Sequence, residues 1–347
     1  MTGCTSDILR SICMLLIVAF SGYGNVSGAM ISTERHMRPR PLKKQVPTLK
    51  LKDLAPPFLE YAYFDGHDLR PFEPGAATFS LVNAWWLAEA STLAYADENF
   101  AARRFKAAAL DEVRFFDQRS TQCYVASNRQ VAVVAFRGSE VWKRRGRPGE
   151  PIAVTDFMTN VNFWLTDWTN GSKVHRGFKN ALEEVWDDLF PYLKALQGRG
   201  CRIWMTGHSL GAALATLAAD RFGEVQGVYT FGSPRVGNSR FKDNYKIRTY
   251  RFVNGSDIVT GLPPAGYYMH VGEPKFIDPE GRILDRPVAT GPDLTASQGE
   301  RGEKVAAGNG GPPKAPIFMP DAVIDHVPVL YAIMIWNRLV DVRSDAE

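Results

Sequence analysis

Cys201-Arg202-Ile203-Trp204-Met205-Thr206 runs into Gly207-His208-Ser209-Leu210-Gly211, and a stretch of small and apolar residues, 212–222, follows. An apolar segment feeding a small-residue helix through G-x-S-x-G predicts a strand that turns sharply into a helix with a serine at the apex, a nucleophile elbow. The chemistry requires that shape. A serine hydroxyl is a poor nucleophile unless a tight turn presents it beside a base, with backbone N–H groups facing the reacting carbonyl. The two glycines leave room for the turn and for close packing of helix on strand. The pentapeptide alone recurs by chance in unrelated chains; the strand before it and the helix after it give it weight.

Working outward, apolar periodicity predicts a helix over 79–95, with Ala84, Leu87, Ala88, Ser91 and Tyr95 on one face, and a shorter one over 98–110. A hairpin is expected from 123–126 and 131–136, joined at Ser127-Asn128-Arg129; its second arm is continuously apolar, as in a strand buried on both faces. Phe178, Leu182, Val185, Leu189, Leu193 and Leu196 recur at helical spacing, with Pro191 expected to kink or divide the helix. After the elbow come a strand at 225–231, a short helix at 238–245, a strand at 247–253, a further strand or hairpin at 267–277 and a final helix over 324–340. Alternating strands and helices predict an α/β fold, a mostly parallel central sheet with helices on both faces. Residues 279–317 are rich in Gly, Pro and Ala without a period and read as a long surface insertion.

An acyl-transfer serine needs a base, and the base needs an orienting carboxylate. Two histidines lie beyond Ser209. His270 falls in an alternating, strand-like stretch, whereas His326 falls at a loop-to-helix junction after the last strand and is the favoured base. Asp243, Asp257, Asp278, Asp321 and Asp325 are the carboxylate candidates. Asp257 leaves strand 247–253 in Asn254-Gly255-Ser256-Asp257, which puts it at a carboxyl end of the sheet, where ligands bind. Asp325 adjoins His326 and should point elsewhere. The oxyanion is expected to be held by the N–H of Leu210 and by Ser139, in the Arg137-Gly138-Ser139 loop after strand 131–136.

The remaining features bound the setting. The chain has 347 residues, 45% apolar and 12% aromatic, ample for one large domain. Residues 1–29 read as a signal peptide: Arg10, a nine-residue apolar core at 12–20 and small residues at Ser27 and Ala29. Nine apolar residues are too few to span a bilayer comfortably, so export is expected rather than anchoring. Residues 30–60, basic and proline-containing, read as a linker, followed by the domain at 61–347. Net charge is +4, with basic runs at 35–52 and at Lys143, Arg144, Arg145 and Arg147; solvated loops or attraction to an anionic membrane surface would both explain them. No nucleic-acid motif and no zinc-type spacing occurs, so neither a metal nor an organic cofactor is expected. Cys123 and Cys201 read as either one disulfide or two buried thiols. Trp142, Phe157, Met158, Val161, Phe163, Trp164, Leu165 and Trp168 lie close together and suggest either a core-facing helix or an apolar flap.

Taken together, Ala84–Ser91 with Leu93-Ala94-Tyr95, Val134–Glu140, Val174-His175-Arg176-Gly177-Phe178, the elbow, Thr230–Asn238 and Phe252–Val259 resemble the class 3 (fungal-type) lipases of the α/β-hydrolase superfamily. The resemblance implies an α/β-hydrolase fold with a lid segment at 139–170. It implies Ser209 as nucleophile, Asp257 as orienter, His326 as base and Ser139 with Leu210 as oxyanion donors. It also implies a lid bearing Phe157, Met158, Val161, Phe163 and Trp164. The chain departs from shorter members at 141–155 and matches less closely around His326. The expected activity is hydrolysis of lipid carboxylic esters, acylglycerols foremost, with transient contact at a lipid interface. A phospholipase A1 or a feruloyl-type esterase on the same scaffold are alternatives, and a non-catalytic lipid-binding module is the alternative of another class.

Overall fold

The computed structural model describes residues 42–46, 56–139, 163–286 and 321–344. All of these fall in one compact unit, Pro41–Glu347. The signal-peptide segment, the basic run at 143–147, Phe157, Met158 and Val161 of the expected lid, and 287–317 of the insertion lie outside the described residues.

The chain enters through α1 (Leu81–Leu93) and α2 (Glu98–Ala107) and then forms the antiparallel strands β1 (Glu112–Gln118), β2 (Thr121–Ser127) and β3 (Val131–Phe136). A two-stranded ribbon, β4 (Leu165–Asp167) with β5 (Lys173–His175), leads into α3 (Arg176–Gly198). Next come β6 (Arg202–His208), α4 (Leu210–Phe222), β7 (Gly227–Phe231), α5 (Ser239–Asn244), β8 (Thr249–Asn254), β9 (Glu273–Ile277) and β10 (Ile283–Leu284). Helices α6 (Asp321–Ile324) and α7 (Pro328–Ser344) close the fold. Among the described residues, eight strands share one sheet in the order β1-β2-β3-β6-β7-β8-β9-β10, parallel from β3 through β9.

Strand periodicity divides the core in two. On β3, Val131, Val133 and Ala135 pack with Trp204, Tyr229, Phe252, α1 and α7, while Ala132, Val134 and Phe136 pack with Met205, α3 and α4 on the other face. Helices on both faces and the parallel centre are as expected. Several local expectations are corrected. Helix α1 is buried all round rather than along one face, because α7 covers the side turned from the sheet. Strand β1 carries charged residues and is mostly exposed, as an edge strand can be; its weak apolar pattern hid it. Helix α3 runs unbroken through Pro191, which lies on its exposed side, where water can take the carbonyl the ring leaves unpaired.

The final helix is two helices. Asp325-His326-Val327 separate α6 from α7, since a residue before proline avoids the helical region and Pro328 suits a first helical turn. Tyr268 and Met269 form isolated bridges only, so His270 is not a strand residue. Cys123 and Cys201 are separate buried thiols.

Part of the expected linker belongs to the body of the fold. Lys44 exchanges two backbone bonds with the Asn337 side chain on α7, and Trp336 Nε1 donates to Leu42 O at 2.9 Å. The Lys44 side chain is 13% exposed, and its ammonium lies 3.0 Å from Glu89 on α1, whose side chain is fully buried. The rings of Tyr61, Trp85 and Trp336 surround that ammonium at 4.7, 5.7 and 5.3 Å. This lysine is neither solvated nor free to meet an anionic surface.

Candidate active site

The elbow is held by contacts that admit only glycine. A Cβ on Gly207 would sit 2.2 Å from Gly211 C, and one on Gly211 would sit 2.2 Å from Phe136 O at the end of β3. With both glycines, α4 starts flush against β6 and β3, and its alanines (Ala212, Ala213, Ala215, Ala218, Ala219) are buried. Ser209 at the apex has φ 58° and ψ −126°, a backbone region that residues with side chains seldom adopt and that persists only when both flanks are fixed. Its N–H donates to Phe231 O at 3.0 Å, tying the apex to the end of β7.

The carboxylate comes from the loop after β8. Asp257 is 3% exposed; its Oδ1 accepts from Val259 N–H at 2.9 Å. Its Oδ2 accepts from His326 Nδ1–H at 2.8 Å and from the Tyr331 hydroxyl at 2.6 Å. Tyr331, on α7, accepts in turn from Asn254 N–H at 3.1 Å; burial, with the Asp257 charge beside it, holds its phenol well above the ordinary range, so it stays a donor. His326 is 1% exposed. Its Nδ1–H is committed to Asp257, which leaves Nε2 as the basic nitrogen. Gly232, next to Phe231, takes φ 57°, and a Cβ there would meet Asp257 Oδ2 at 2.7 Å and His326 Nδ1 at 2.9 Å. The ends of β6, β7 and β8 thus bring Ser209, His326 and Asp257 to one edge of the sheet, with the link from serine to imidazole running through neighbours: the ring of His208, beside the serine, packs against that of His326 at a 36° tilt, centroids 4.4 Å apart.

The other candidates lie elsewhere. Asp325 braces the acid loop: its Oδ2 accepts from Ser256 N–H at 2.8 Å and Ser256 Oγ at 3.0 Å. Asp278 is committed to its own turn with Arg282, while Asp243 and Asp321 are exposed. His270 donates from Nε2 to Thr260 O at 2.9 Å, and burial, then Arg251, pushes it down to about 3. Ser139 is half-buried in the loop leaving β3, whose Phe136 pairs in register with Gly207, so this loop departs beside the elbow. Leu210 opens α4, where a first-turn N–H lacks an intrahelical partner and the helix dipole favours negative charge. Phe163 and Trp164, the described members of the expected lid, are 39% and 62% exposed. Tyr331 and His208 carry no signal of their own in the sequence: the first reads as one more core aromatic of the last helix, and the second fills the variable slot of G-x-S-x-G. Among the described residues no group of three His, Cys, Asp or Glu is clustered as metal ligands.

Two buried neutral histidines predict an acid-sensitive fold. Burial, then the neighbouring His326, holds His208 well below the ordinary imidazole range, as burial does His270. The unfolded chain takes up protons below about pH 6.5 while these folded histidines do not, so their contribution is complete above that pH and is lost as pH falls. Urea melts between pH 6.5 and 5 should show roughly 1.4 kcal/mol of lost stability per pH unit for each such histidine, and His270→Asn should remove its share. An unchanged slope in that variant would contradict a neutral buried His270.

The profile of the Lipase (class 3) family matches residues 133–267. The secreted mono- and diacylglycerol lipase 1 of Fusarium solani is 36% identical over 176 residues, 47% of this chain and 49% of that protein. A lipase of Rhizomucor miehei is 35% identical over 143 residues, 34% of this chain and 39% of that protein. The chain spans about half or less of the length of these curated relatives. The span that resembles the Lipase (class 3) family begins within β3 and holds both the elbow and the loop after β8 that carries Asp257.

Proposed function

We propose that this protein is an exported serine hydrolase that cleaves carboxylic esters of lipids, acylglycerols foremost, through an acyl-enzyme on Ser209. The observation that carries the reading is the buried 2.8 Å bond from His326 Nδ1 to Asp257, at the same sheet edge as the strained serine. With Nδ1–H fixed, His326 Nε2 accepts the Ser209 proton as Oγ attacks the ester carbonyl. The N–H groups of Leu210 and Ser139 hold the developing oxyanion. The imidazolium then protonates the departing alcohol, and water, deprotonated by the same nitrogen, releases the fatty acid. Acylglycerols fit the names of the relatives, which are a mono- and diacylglycerol lipase and a lipase. The secreted relative and the signal-like 1–29 support export; no helix among the described residues is long and apolar enough to cross a membrane.

Exposed Phe163 and Trp164, beside β4, suit contact with a lipid surface. A panel of emulsified di- and triacylglycerols, phosphatidylglycerol vesicles, feruloyl esters and soluble short-chain esters tests the substrate class. Emulsified acylglycerol should be turned over fastest, with a rise in rate above the solubility limit. Trp164→Ser should lower the emulsion rate about tenfold, the equivalent of one well-buried aromatic contact, and leave the soluble ester within twofold. Equal loss on both substrates would remove the interfacial role.

A further inference from the structure

His208 is sealed in the core between the oxyanion loop and the base. Its Nε2 lies 2.8 Å from His326 O and its Nδ1 lies 2.9 Å from the Tyr95 hydroxyl. A carbonyl can only accept, so Nε2 carries the proton and Nδ1 accepts from Tyr95. Tyr95, just past the end of α1, is buried and in turn abuts Gly138: a Cβ on Gly138 would fall 1.9 Å from the Tyr95 hydroxyl and 2.7 Å from His208 O. One buried chain of groups therefore runs from the Gly138-Ser139 loop through Tyr95 and His208 to the backbone of His326, against whose ring that of His208 packs at a tilt.

Resting on the proposed esterase reading, we infer that the Tyr95–His208 pair is a positioning bridge that sets the base and the oxyanion loop against each other. Neither residue touches the reacting atoms. The bridge fixes the height of the His326 backbone above the elbow and keeps the neighbouring imidazole electrically neutral, so that the single positive charge formed in the reaction resides on His326. Two imidazoles at 4.4 Å cannot both be cationic at low cost in a dry site. The tautomer imposed by Tyr95 points the only proton of His208 at a carbonyl, where it steadies the base without competing for the serine's proton.

The test uses the full chain with active sites titrated by a phosphonate ester, so that turnover is counted per competent serine and misfolded protein drops out. Tyr95→Phe removes one oxygen, and His208→Leu removes both hydrogen bonds. Each should lower kcat per titrated site roughly 10- to 100-fold while KM on a soluble ester stays within threefold. The double variant should lose little more than either single one, because the two residues act as one unit. His208→Gln, whose amide can still donate toward His326 O, should restore most of kcat. A purely structural role would instead lower the titrated fraction or the melting temperature at constant kcat per site, and that result overturns the bridge, as do full additivity or no rescue by Gln. Should His208→Leu fail to fold, Tyr95→Phe alone decides through the same ratio. If the wild-type protein neither titrates nor hydrolyses esters, the esterase reading falls and the bridge with it; a wild type that does both, with Tyr95→Phe turning over normally, removes the bridge alone.

Discussion

Ser209→Ala should lose ester hydrolysis by about 10⁶-fold in kcat while its circular dichroism and melting stay near those of the parent. The size follows from the arrangement. Without Oγ no acyl-enzyme forms, and what remains is water attacking a carbonyl polarised by two N–H groups, worth only about 10³ to 10⁴ over solution. The fold should survive because the apex is held by backbone: the Ser209 N–H to Phe231 O, and the close contact of Gly207 with Gly211. The serine side chain makes no capping bond to α4. Hydrolysis assays under single-turnover and steady-state conditions, with the phosphonate label as a second readout, check the result. Turnover within tenfold of the parent would end the assignment of Ser209 as nucleophile and leave this α/β fold serving another chemistry.

Lys44→Met should destabilise the protein by about 3–5 kcal/mol, the cost of leaving a buried carboxylate without its cation. Glu89 Oε1 accepts from Lys44 Nζ at 3.0 Å, Tyr61 hydroxyl at 2.8 Å and Trp85 Nε1 at 2.8 Å, and removing the ammonium leaves only the two neutral donors. The three aromatic rings add a cation–π contribution that also disappears. Replacing both partners, as in Lys44→Met with Glu89→Leu, should return most of the loss, because a matched apolar pair has no charge to strand. Urea melts with unchanged m-values measure this. A single variant within 1 kcal/mol of the parent would show that residues 42–46 merely lie on the surface of the domain.

How legible these features were depended on the distance over which the cause acts. The elbow could be read because its constraint is local: two glycines four residues apart must meet, and only a strand on one side and a helix on the other let them. The sheet could be read because β3, β6 and β7 bury both faces and so are largely apolar. Asp257 could be favoured as a turn residue after a strand. His326 was harder, since its role depends on a break between two helices that Pro328 creates and that apolar periodicity runs straight across. Tyr331 hides in that periodicity; it reads as one more core aromatic until coordinates put its hydroxyl on Asp257. The docking of Lys44 on Glu89 and Asn337 joins segments 45 and 293 residues apart, and nothing local in a basic, proline-containing stretch announces it. His208 is illegible because it precedes the serine in a slot any residue can fill, and its role comes from a carbonyl 118 residues away, to which its Nε2–H donates.

The unpaired state of Cys123 carries a practical consequence. Cys123 lies in the middle strand of the β1–β3 meander with no surface exposed, and burial holds its thiol far above the range in which thiolate forms. Alkylation by a maleimide or iodoacetamide must therefore wait for that meander to open. The rate of mass increase on Cys123 then becomes an intrinsic clock for opening of the sheet in the unmodified protein, readable in the presence of emulsified substrate, where optical methods fail.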